Sequence, residues 1–306
     1  MYLQKVYKAG QTIEIQKTFS KRYGRNITRG KNQCPTPKAM KNYNDLMARR
    51  ELTRTFNENF ADGDIHLVLR HRRGTNPTPD EAKAMLDKYI RQVRTEYRRL
   101  GYEIVYARAS AVGKKGGIHH HLVVNVPGAT KSILAALRTN WLHGSVNFTP
   151  LYTYGEFSGL AKYFLGQGKE SENDTEDEKL QIIGNRWSGS KNLRRVKPDV
   201  KQVSAKKWRE PPKAKKGYRI DVDSIDAGVN PVTDIPYLFY RMVKIDQTGK
   251  AAERVQAENR KAVRDAWNRP EWANQHIVGR LQETIPKRGK RKSKKPIKPV
   301  AGPAEP

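Results

Sequence analysis

The 306-residue chain has a single cysteine, Cys34, which excludes an internal disulfide and cysteine-rich zinc modules and points to a reducing, cytoplasmic compartment. It has no run of eighteen apolar residues, and Met1 to Lys21 is polar throughout, so neither a membrane span nor a signal peptide is read. No Gly-x-x-x-x-Gly-Lys-Ser/Thr loop occurs, so the chain carries no helicase motor of its own. The His-Glu-x-x-His signature of zinc hydrolases and internal repeats are missing too. Acidic residues are scarce: 31 Asp plus Glu stand against 60 Lys plus Arg, a formal net charge of +29. Such an excess repels itself and calls for a polyanionic partner, nucleic acid before an acidic membrane surface. Hydrophobic residues make up only 36% of the chain, so part of it is expected to be extended without its ligand.

Against this background stands Gly116-Gly117-Ile118-His119-His120-His121-Leu122-Val123-Val124. Side chains alternate across a strand, so His119 and His121 share a face and His120 points to the other, packed under the sheet. Two imidazoles about 7 Å apart on a rigid strand can hold one divalent cation from the same side.

The surrounding pattern alternates strands and helices. Residues 1–36 show no sustained period beyond a short strand at Ile13 and Ile15, and read as a basic arm. A helix over 37–59 has an imperfect stripe of Met40, Tyr43, Met47, Leu52 and Phe56. Asp64 to Arg70 reads as a strand with His66, Val68 and Arg70 on one face. Thr78, Pro79 and Glu81 predict a capped helix whose buried face is Ala82, Met85, Leu86, Tyr89, Ile90, Val93 and Tyr97. Tyr102–Ala109 and the histidine strand form a hairpin across Gly113–Gly117. A helix from Thr130 follows, with Gly144 as its stop, then a strand over 145–151 and a short helix over 155–165. About 100° per residue puts Tyr163 on the border of that last helix's apolar face. Beyond residue 200 the pattern weakens: a strand around Tyr237, Phe239 and Tyr240, a helix over 249–267 too polar for a core, and a Lys/Arg/Pro tail over 285–300. The order predicts an α+β fold, an antiparallel sheet with helices on one face, flanked by basic, partly extended ends. The expected units are 1–62, 63–200 and 201–306.

Several motifs in this order resemble the HUH endonucleases, specifically the bacterial and phage rolling-circle replication-associated proteins. Asn59-Phe60-Ala61-Asp62-Gly63-Asp64 resembles the family's lead-in, and Gly117-Ile118-His119-His120-His121-Leu122 its metal strand. Trp141-Leu142-His143-Gly144-Ser145-Val146, Leu160-Ala161-Lys162-Tyr163, Trp187-Ser188-Gly189-Ser190-Lys191-Asn192-Leu193 and Lys216-Gly217-Tyr218 follow at similar spacings. The resemblance implies an RRM-like replication-initiator fold, and Mg²⁺ or Mn²⁺ held by His119 and His121. It also implies Tyr163 as nucleophile, a 5′-phosphotyrosyl intermediate and a 3′-OH primer. Single-stranded or hairpin origin DNA is the implied substrate, with a separate helicase as a further partner.

Two positions depart from the family. Its acidic third ligand falls at Ser110 or Ala111, leaving His66 to complete the site. Its lysine after the tyrosine falls at Gly166, leaving Lys162 or Lys169. Tyr152 and Tyr154 are the alternative nucleophiles, and His143 reads as a helix cap. Arg70, Arg186, Trp187, Lys191, Arg194 and Arg195 are the candidates for holding DNA, Trp187 by stacking on bases or else as a core residue. A relaxase, a single-strand transposase or a catalytically decayed DNA-binding protein would carry the same motifs.

Overall fold

Two antiparallel sheets share the helix that follows the N-terminal hairpin. The computed structural model describes residues 1–19, 38–113, 116–166, 181–208, 210–230 and 235–268. Lys169, the acidic stretch 170–178 and the 285–300 tail lie outside the described residues. In chain order the first elements are β1 (Tyr2–Ala9), β2 (Thr12–Phe19), α1 (Lys38–Asn59), β3 (Ile65–His71), α2 (Pro79–Arg99), β4 (Tyr106–Val112) and β5 (Ile118–Val124). Then come α3 (Thr130–Thr139), β6 (Gly144–Pro150), α4 (Ser158–Phe164), β7 (Gln181–Ile182), β8 (Ser188–Gly189) and β9 (Asp199–Gln202). The last are α5 (Ala205–Trp208), β10 (Tyr218–Asn230), β11 (Ile235–Lys244) and α6 (Gly249–Trp267). No described helix is long and apolar enough to cross a membrane.

The first sheet has the order β6-β3-β5-β4-β7, with β8 also pairing β4. Every described pairing is antiparallel, and the α+β class is what the chain forms. On one face, Leu67, Leu69 and Leu122 pack on Leu86, Tyr89 and Val93 of α2 and on Ile133 and Leu137 of α3. Helix α2 starts as its sequence dictates. Glu81 N–H donates to Thr78 Oγ1 at 3.3 Å, and Thr78 N–H donates to Glu81 Oε2 at 2.8 Å. Gly144 is the first residue of β6, not a helix stop: α3 ends at Thr139. A Cβ on Gly144 would run into the Arg70 carbonyl across the β3–β6 pair, so the close strand approach demands glycine there.

The opposite face, expected open, is partly covered by α1 and α4. Leu52, Phe56 and Phe60 pack with Phe157, Ala161 and Phe164 against Ala107, Ala109 and Val123. The other side of α1 is charged, and it faces the second sheet, ordered β10-β11-β2-β1-β9. Arg50 donates to Asp226 Oδ2 at 2.5 Å, and Arg54 Nε stands 2.9 Å from Glu14 Oε2, an ion contact without hydrogen-bond alignment. Asn57 donates to Thr12 Oγ1 at 3.0 Å. Because α1 buries apolar side chains on one side and charged ones on the other, it lacks a single apolar stripe.

This second sheet was not legible as such. Residues 2–19 form a hairpin rather than an arm. Its turn at Gly10 (φ +51°) lies so close to α1 that a Cβ would meet the Asn57 carbonyl. The outer face of the sheet buries Ile13, Ile15, Ile220, Tyr240 and Met242. Helix α6 packs there through Val263, and Asn259 satisfies both Ile220 N–H and Ile220 C=O, so this polar helix is a core element after all.

Phe56 is fully buried, edge-on to Phe60 and Phe164, beneath the helix that carries Tyr163. Phe56→Ala is expected to cost about 3–5 kcal/mol of stability by urea unfolding. A loss below about 1 kcal/mol would contradict the packing described.

Candidate active site

On the face shared with α1 and α4, the register sets the histidines side by side. His119 lies opposite Arg70 and Ala111, and His121 opposite Val68 and Ala109. The small side chains Ala109 and Ala111 leave the space above β4 to the imidazoles. His66 approaches His121 from β3, its Nε2 3.3 Å from His121 Nδ1 with rings stacked at 5.6 Å. The His119 and His121 rings meet edge-on at 4.8 Å. From α4, the Tyr163 ring stands edge-on to His121 at 4.9 Å and to His66 at 5.9 Å. Phe164 closes the apolar side. Thus His66, His119, His121 and Tyr163 converge from three elements. Tyr152 and Tyr154 are each 70% exposed and bring no ring to the histidines among the described contacts.

Burial sets the protonation of the site. Desolvation lowers His66 to about 4; His121 is lowered to about 2 by burial and by the neighbouring His119, His66, His120 and Arg70. Both imidazoles are neutral at pH 7. His121 Nε2 is buried without a hydrogen-bond partner. A buried N–H without an acceptor is costlier than a buried lone pair without a donor. The favoured tautomer therefore has His121 Nδ1–H donating to His66 Nε2 and a bare lone pair at His121 Nε2. That atom suits a cation, and His66 then orients His121 rather than ligating beside it. Among the described residues no three His, Cys, Asp or Glu side chains are placed to hold a metal. His119 and His121 are thus at most a two-histidine half-site. Ala111, beside His119, offers no donor, and Ser110 points to the other face.

His120 lies on that other face, as its alternation requires. Its Nδ1 is 2.8 Å from Ser110 Oγ and its Nε2 3.3 Å from His71 Nε2, edge-on to Trp141. His143 sits three residues past the α3 cap, its carbonyl accepting from Arg72 N–H. The lead-in residues are structural. Asp64 accepts from Ala61 and Val126 N–H, and Asp62 accepts from Tyr154 and Gly155 N–H just before α4.

The basic candidates are placed differently from one another. Arg70 is exposed on the histidine face, and Lys162 is exposed beside Tyr163 on α4. Arg186, Arg195 and Arg194 pair with Asp45, Glu51 and Glu58 along α1, and Arg195 also lies over the Trp187 ring at 4.4 Å. Trp187 is half-buried against the core, and Lys191 is exposed. Exposed ion pairs are worth roughly 0–1 kcal/mol, so a phosphate can compete for these arginines. Sequence reasoning missed Arg241, Glu14 and Glu156, an ionic cluster that reaches the start of α4. Its members lie 85 or more residues apart, and no local pattern joins them.

The depressed histidines make stability pH-dependent. An unfolded chain protonates histidine near 6.5, whereas the folded chain keeps His66 neutral to about 4 and His120 to about 3. The unfolded state therefore binds more protons between these limits, and stability falls as pH drops from about 6.5 towards 4. Thermal melts of the metal-free protein should show the midpoint falling across that window. The fall should be shallower in the double variant His66→Gln, His120→Gln; equal slopes would refute the assignment.

No curated protein and no solved structure matches the chain. A family model does match residues 65–167, from the strand that carries His66 to just past Tyr163. Over this stretch the chain is similar to the ORF2 family of replication-associated proteins, a match that supports a role in starting replication.

Proposed function

We propose that the chain is a replication initiator that nicks single-stranded or origin DNA through Tyr163, as an HUH endonuclease of the rolling-circle type. The observation that carries this reading is the convergence of Tyr163 with His119 and His121 on one sheet face, inside the stretch similar to a replication-associated family. His119 and His121 would hold Mg²⁺ or Mn²⁺, with His66 fixing the His121 ring. When bound, such a cation supplies positive charge to the oxygens of the scissile phosphate.

In the proposed reaction the Tyr163 hydroxyl oxygen attacks phosphorus and the bond to the 3′-oxygen breaks. The phenolic proton is lost and the 3′-oxygen gains one. The strand then ends in a 3′-OH that primes synthesis, and its 5′-phosphate stays esterified to Tyr163. Because one phosphodiester replaces another, rejoining needs no ATP. Lys162, exposed beside Tyr163, and Lys169 are the side chains assigned to neutralise phosphate charge. Arg70, Arg186, Trp187, Lys191, Arg194 and Arg195 are assigned to the DNA track, and strand separation is assigned to a separate helicase. A relaxase or single-strand transposase would use the same chemistry.

A second reading, a DNA-binding protein that has lost cleavage, is favoured by the bare Ala111 beside His119 and by the lack of a three-ligand set among the described residues. The two readings part in one experiment. Overlapping single-stranded fragments of the element that encodes the chain are incubated with the protein and Mn²⁺, then run on a denaturing gel. The nicking reading expects a covalent protein–DNA band that disappears in Tyr163→Phe and in the double variant His119→Ala, His121→Ala. Salt-sensitive binding should persist in both variants. Binding without any adduct, across several divalent metals, would leave only the second reading.

A further inference from the structure

We propose that Arg241, on β11 and far outside the 65–167 match, is a positioning residue for Tyr163 acting through Glu156. The inference rests on Tyr163 being the nucleophile. Helix α4 is seven residues long and has no side-chain cap from its N-cap residue, Phe157. So short a helix has little stability of its own, and its direction is set by what holds its ends. Glu156 holds the first turn: its carboxylate accepts from Ser158 N–H at 3.0 Å and from Ser158 Oγ–H at 2.9 Å. Arg241 holds Glu156, its NH1 donating to Oε1 at 2.6 Å.

Arg241 is itself fixed from β2. Its Nε and NH2 both meet Glu14 Oε1 at 3.0 Å, and Asp221 Oδ2 stands 3.9 Å from NH1. Its side chain is 5% exposed, so one buried guanidinium serves three carboxylates. Removing it would leave Glu14 and Glu156 as partly desolvated anions without their shared cation. Glu156, the more exposed of the two, would turn to water and release Ser158.

Packing does not make this tie redundant. A cavity of about 400 Å³ lies beside α4, lined by Arg49, Ser158, Lys162, Asp221 and Arg241 among others. On that side the base of the helix meets space and charge rather than close-packed side chains. Two neighbouring bonds, Phe157 N–H to Asn57 Oδ1 at 2.9 Å and Gly155 N–H to Asp62, fix the preceding loop, but Glu156 alone of these reaches into the helix. Tyr163 lies five residues beyond Ser158, about 7.5 Å along the axis. A tilt at the base therefore carries its ring across the face of His121.

The test compares Arg241→Met, Arg241→Lys and Glu156→Gln with the wild type in three measurements on the full chain. These are amide hydrogen exchange of Ala161, Leu165 and Gly166 against that of α3, single-turnover formation of the DNA adduct with Mn²⁺, and the DNA Kd. In Arg241→Met, α4 exchange should rise and the adduct rate fall by tenfold or more each. Exchange in α3 should stay unchanged, and Kd should move less than threefold. Arg241→Lys should recover part of both losses. Glu156→Gln, which keeps the shape of the side chain, should show the same split and decides the matter if Arg241→Met does not fold. Exchange and rate within twofold of wild type would overturn the proposal. So would faster exchange at an unchanged rate, or a rate loss matched by weaker binding. If the wild type forms no adduct, the nucleophile reading fails; the exchange comparison then still decides whether Arg241 holds α4.

Discussion

The structure depends on α1 being buried on two sides with opposite chemistry. Towards the histidine sheet it offers Leu52 and Phe56; towards the second sheet it offers Arg50, Arg54 and Asn57. The apolar side supplies the bulk of the attraction, since each fully buried large side chain contributes roughly 1.5–3 kcal/mol. The charged side is different in kind. A buried ion pair often gains little over an apolar replacement, yet an unpartnered half is strongly unfavourable. Arg50–Asp226 and Arg241–Glu14–Glu156 therefore act less as sources of stability than as a statement of which surfaces must meet. Through them the two ends of the chain, β1–β2 and β10–β11, are brought to bear on the segment that carries Tyr163.

The histidine face applies the same logic without charge. Three imidazoles packed beside Tyr163 and Phe164 cannot all be cations, and burial keeps His66 and His121 neutral. Neutral rings in contact must then settle their protons among themselves. The His66–His121 bond does this and leaves one buried lone pair, at His121 Nε2. A site built for a cation and a site emptied of one would share the two histidines. They would differ in whether that lone pair has a function.

Much of the first sheet was legible because its signals are local. The capping box of α2, the strand alternation that separates His120 from its neighbours, and the border position of Tyr163 on its helix all follow from spacings of two to four residues. What escaped reading was non-local. The hairpin at 2–19 alternates weakly because Glu14 and Lys17 are buried as well as Ile13 and Ile15. Lys17 donates to the carbonyls of Lys207 and Glu210, 190 and 193 residues away, and burial lowers it to about 8. Helix α6 reads as solvent-facing because few of its side chains are buried and Asn259, a polar residue, makes its firmest contact. The arginines at 186, 194 and 195 read as free cations because their acidic partners on α1 stand far back in the chain, at Asp45, Glu58 and Glu51.

The central claim is that Tyr163, and no other tyrosine, is the group presented to DNA at the His119–His121 face. Peptide mapping of the covalent adduct by mass spectrometry tests it most directly, after nuclease trimming leaves a short nucleotide tag. The account predicts a tag on the peptide containing Tyr163, with fragment ions placing the phosphate on that residue. A tag on Tyr152 or Tyr154, which stand exposed at the end of β6, would contradict it.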